Sequence, residues 1–123
     1  MSDATTIIAA SLLDTWIAYD WTSGIELASL KDFTEIYVQT RNSVYKIVVI
    51  DHQSGEILVR GGKFFLETTP AFLVGASRRG SFIKCGTIHV GLNMEIRAER
   101  ETIVTSTVQS IVLGASSVFN TSY

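Results

Sequence analysis

Residues 87–97 alternate apolar and polar side chains with a period of two. Ile88, Val90, Leu92, Met94 and Ile96 fall between Thr87, His89, Gly91, Asn93, Glu95 and Arg97. Successive side chains of a strand point to opposite faces, so the pattern predicts a strand with one face in a core. Unbroken, it would be about 35 Å long, more than most strands reach, and Gly91 is the expected bend or bulge. The same texture runs from Glu35 onward as EIYVQT, SVYKIVVID, EILVRG, KFFLET, AFLVGA, SFIKCG and TIVTSTVQSIVL. The breaks between these runs are too short for parallel crossovers, which need a dozen residues or more. The expected fold is all-β and mainly antiparallel, a single small barrel or sandwich of about seven or eight strands.

The first third of the chain reads differently. Ile8, Leu12, Leu13, Trp16 and Ile17 recur at helical spacing, with Ser2 or Asp3 placed to cap the first turn. One N-terminal helix is the expectation for residues 1–22, with a strand as the alternative because Thr5, Thr6, Ile7 and Ile8 are β-branched. Residues 20–32 read as a connection with a turn at Ser23-Gly24 and a short strand or turn over 25–30. The chain is taken as one domain: this segment, a β core over 34–113, and a loose polar tail over 114–123.

Composition sharpens this picture in two ways. Charged residues are only 18% of the 123 against a hydrophobic share of 46%, which leaves little charge to cover a surface. Burial by a second copy or a protein partner is therefore expected. Ten basic against twelve acidic residues, with no long basic stripe, disfavours nucleic acid. No basic run precedes the N-terminal apolar stretch, and Asp14 and Asp20 interrupt it before a membrane span is reached, so a soluble, cytoplasmic protein is expected.

Candidate chemistry is sparse. A single cysteine excludes an internal disulfide. Cys85 and His89 would lie about 13 Å apart on one strand, too far for thiol activation, and Cys85 is expected to be a packed, inert thiol. The two histidines, His52 and His89, have no metal-ligand spacing, and Asp51 beside His52 suits a turn. No metal, cofactor or catalytic set is expected.

Three places remain. Arg78 and Arg79, with Arg41, could grip an anion through forked donors, or simply form a hairpin turn with Gly80 supplying a positive φ. His89 and Glu95, on the polar face of 87–97, could line a pocket or face solvent. Trp16, Tyr19 and Trp21 are candidate interface anchors or a plug that closes one end of a small barrel.

The segments TRNSVYKIVVID, GEILVRGGKFF, AFLVGAS, GSFIKCGTIHVGLNMEI and IVTSTVQSI together resemble a pattern of small uncharacterised bacterial all-β proteins, over roughly residues 36–111. The resemblance implies the fold and carries no activity, ligand or site. The expected function is a non-enzymatic structural or interaction module, self-assembling or partner-binding through apolar β surface and the N-terminal aromatic segment. A small-molecule or anion-binding barrel is the alternative.

Overall fold

The structure is a computed structural model and describes residues 24–116. Nine strands follow one another: β1 Gly24–Glu26, β2 Thr34–Thr40, β3 Val44–Asp51, β4 Glu56–Gly61, β5 Phe65–Arg78, β6 Ser81–Cys85, β7 Thr87–His89, β8 Asn93–Ala98 and β9 Glu101–Ser116. A single 3-10 turn, Leu27–Ser29, is the only helical element among the described residues. The helix expected over 1–22, with Trp16, Tyr19 and Trp21, lies outside them.

All pairings are antiparallel, as the short connections required. One seven-stranded sheet runs in the order β4-β3-β2-β9-β8-β5-β6, with β4 and β5 also paired, and β1 and β7 form a separate two-stranded ribbon. Two long strands change partner along their length. β5 pairs with β4 over Phe65–Phe72, then with β8 over Phe72–Ser77 and with β6 beyond Gly75. β9 pairs with β8 as far as Thr107 and with β2 from Val108. Such strands form the corners at which a sheet turns over on itself. The sheet is rolled, with β4 meeting the first half of β5 and β6 left as an edge, and it is not a closed barrel.

The core lies inside this roll. Ile36 and Val38 of β2, Ile47 and Val49 of β3, and Ile57 and Val59 of β4 are fully buried, as are Met94 and Ile96 of β8 and Ile88 of β7. In β2, β3, β4 and β8 these residues occupy alternate positions and so share the inward face of the strand. Phe65 and Leu27 fill the space between the elements.

The pattern over 87–97 needs correction. It is two strands, β7 and β8, separated by a turn in which Leu92 N–H donates to the His89 carbonyl at 3.2 Å and Gly91 takes φ 90°. Period-two alternation survives this turn, so it could not reveal the break. β9 continues to Ser116 alongside Thr34, so residues 114–116 belong to it, and the rest of the expected tail lies outside the described residues.

Candidate interaction surface

The anticipated arginines are brought to one end of the sheet. The Arg41 N–H donates to the Thr107 carbonyl at 2.9 Å, Thr107 is in register with Asn93, and Asn93 Oδ1 accepts from the Arg79 N–H at 2.7 Å. Spanning those strands sets the Arg41 and Arg79 backbones about 14 Å apart along the sheet. Arg79 and Gly80 have φ 53° and 82°, the two positive values of a tight two-residue hairpin turn. Arg79 is exposed, whereas Arg78 is half-buried with its Nε enclosed and without a hydrogen-bond partner. The turn reading of this stretch holds, and the exposed arginine pair does not form.

His89 and Glu95 do not share a solvated face either. His89 is 2% and Glu95 4% exposed, and they sit on different strands with different pairing partners. The His89 imidazole lies against the Gly24 backbone so closely that any Cβ there would collide with it. Glu95 lies beside Gly75, with its Oε2 buried and without a hydrogen-bond partner.

Cys85 is exposed, contrary to the expectation of a packed thiol. Its neighbour across the ladder is Gly75, which offers no side chain to cover it. Cys85 lines an open cleft of about 490 Å³ together with Lys84, Thr87, Glu26 and His52. His52 was read from the sequence as a turn residue, and so it is, but it has a partner twenty residues away. Asp32 Oδ1 accepts from His52 N–H at 3.0 Å and lies 2.7 Å from His52 Nδ1. No local signal marks this pairing.

Those hydrogen bonds hold the Asp32 carboxyl below its ordinary value of 3.8. A depressed carboxylate favours the fold above the unfolded-state value and loses that contribution as pH falls through the folded one. Asp32→Ala is therefore expected to lower the melting temperature at neutral pH. The gap to the unsubstituted protein should close below pH 4, and an equal gap at every pH would contradict this role. Asp32, Asp51 and His52 bring ligand-capable atoms within 4.8 Å of one another and could hold a cation. Their contacts are accounted for without one, because Asp51 Oδ1 accepts from Gln53 N–H at 2.9 Å and Ser54 N–H at 3.4 Å.

The surface with the clearest organisation is the outer face of β5-β4-β3-β2, which none of these candidates included. The register places Pro70 beside Leu58 and Leu58 beside Val48, an apolar row across three strands. Glu35 of β2 continues the row. Leu58 and Val48 are half-buried by their neighbours, and Pro70 is exposed. Around them Phe72 is 49% and Leu66 76% exposed. Tyr37 and Val112, in register with each other, extend the apolar surface past Lys46. Strands apolar on both faces are normally covered on both faces.

Tyr37 Oη donates to Glu35 Oε1 at 2.9 Å, and Lys46 Nζ lies 3.5 Å from the same oxygen. The Tyr37 ring and the Glu35 Cβ lie over Gly114, where an added Cβ would meet both at 3.2 Å. Compared with known protein families, curated proteins and solved structures, the chain matches none. No helix among the described residues is long and apolar enough to cross a membrane.

Proposed function

We propose that this protein is a non-enzymatic interaction module that works by docking the outer face of β5-β4-β3-β2 against another folded protein. The observation that carries this reading is the row Pro70–Leu58–Val48, flanked by exposed Phe72 and Leu66. These positions should be polar on a sheet face left to water. Covering them removes apolar surface from water without any change in the fold, at roughly 25 cal/mol for each Å² buried.

A photo-crosslinking residue in place of Phe72 tests the reading in cells producing the protein. One discrete adduct is expected, lost when Leu58→Lys is added, and absent when the crosslinker replaces exposed Arg100 instead. No adduct from Phe72, or one that survives Leu58→Lys, would overturn it. Leu58→Lys should leave the fold intact, since its half-buried position lets the lysine stem lie along the strand with the ammonium in water.

A further inference from the structure

Charged positions flank the apolar row along the β3–β4 ladder, those on the Asp51 side next to a bulge between Val49 and Asp51. Arg60 lies in register with Lys46, and Glu56 with Asp51. Both are like-charge pairs across a ladder, which weaken a sheet within one chain. They stand on opposite sides of the apolar row: Arg60 two residues beyond Leu58 on β4, Glu56 two residues before it. Lys46 finds relief in Glu35 at 3.5 Å, and Asp51 in the turn amides of Gln53 and Ser54. Among the described residues, neither Arg60 nor Glu56 forms an ion pair.

Resting on the reading of this face as an interaction surface, we propose that its occupant is a second copy of this chain. The copies pack face to face about a twofold axis that crosses the strands through Leu58. Two identical faces can meet only about an axis lying in the plane between them. An axis across the strands returns the apolar row onto itself and reverses strand direction. It sets Leu58 on Leu58, Arg60 on Glu56 of the second copy, and Glu56 on its Arg60. Lys46 then lies toward Ile50 and Asp51 of the second copy.

The alternative in-plane axis, parallel to the strands between β3 and β4, would set Arg60 on Lys46 and Glu56 on Asp51. Like charges would then oppose one another, so the charge pattern selects the crossing axis. The two like-charge pairs, unfavourable in one chain, become complementary between two. Glu35 at the far end of the row keeps its own Lys46 and Tyr37. The twist of two packed sheets carries that end away from its counterpart.

The contact is modest in size. Four strands about 4.8 Å apart and five residues long give a footprint of roughly 300 Å² in projection. A standard interface buries about 800 Å² on each partner, so the dimer should be micromolar or weaker.

Sedimentation from about 5 µM to about 1 mM should show a reversible monomer–dimer equilibrium that weakens with added salt. Arg60→Glu and Glu56→Arg should each raise the dimer dissociation constant at least about tenfold, and the double exchange should return it to within about threefold. Arg60→Glu places an acid opposite Lys46, which strengthens the ladder, so lost association cannot be blamed on lost folding. A monomer at every concentration, or a double variant no better than either single one, would overturn the proposal. The docking reading fails separately: a dimer indifferent to Leu58→Lys would sink that reading. A dimer broken by Leu58→Lys but not rescued by the charge exchange would sink only the twofold arrangement.

Discussion

Gly75→Ala should cost the protein about 3 kcal/mol or more and lower its melting temperature by roughly 10–20 °C. Gly75 stands where β5 leaves β4 and takes up β6 and β8, next to the register shift between Leu73 and Gly75. Its φ is 152°, and an added Cβ would sit 2.8 Å from the Lys84 carbonyl carbon and 2.9 Å from the Cys85 Cα. Both are backbone atoms of a paired strand, so neither can swing aside. Gly80→Ala is the control. Gly80 also has a positive φ, 82°, but an added Cβ would meet nothing within 4 Å. It should lose only the left-handed backbone preference, about 1 kcal/mol. Urea denaturation of both variants measures the difference, and equal losses would mean that the corner does not depend on this close approach.

The second large effect is expected from Ile47→Ala, at about 3–4 kcal/mol and a fall of roughly 12–30 °C in melting temperature. Ile47 is fully buried at the centre of the β2-β3-β4 sheet, in register with Ile36 on one side and Val59 on the other. Those neighbours are held by their own ladders and cannot collapse into the space left by the lost methyl groups. The contrast lies on the neighbouring strand, β4, on the opposite face. Leu58→Lys, at a position of similar hydrophobicity, should leave the melting temperature nearly unchanged while abolishing association. If instead Leu58→Lys destabilised the single chain as much as Ile47→Ala, the outer face would be part of the core.

Much of the fold could be read from the chain because a strand advertises its two faces residue by residue. Ile36, Val38, Tyr45, Ile47, Ile57, Val59, Met94 and Ile96 occupy alternating positions and are all buried. Hairpin turns followed from Gly55 and from Arg79-Gly80, whose positive φ values the turns require. What could not be read were the places where β5 and β9 change partner, since a corner leaves the alternation intact. Gly91 marked the bend between β7 and β8, but alternation running unbroken through it put His89 and Glu95 on one face that does not exist. Asp32 and His52 meet across twenty residues for a similar reason, because only the fold brings them together.

The interaction surface did leave a trace in the sequence. In KIVVID and EILVRG the apolar residues are consecutive instead of alternating. Inward-facing Ile47, Val49, Ile57 and Val59 account for four of those seven positions. Of the other three, Val48 and Leu58 are apolar residues on the side turned away from the core. A run of this kind marks a strand covered on both faces. Within the described residues only one cover is present.

The docking of the outer face is tested most directly by amide NMR spectra recorded as the protein is diluted. Concentration-dependent shifts are predicted at Val48, Leu58, Arg60 and Phe72, with those of Cys85 and Arg79 unchanged. Shifts centred on the Arg78–Gly80 turn or on the His52–Cys85 cleft, with the β4 amides still, would contradict the account.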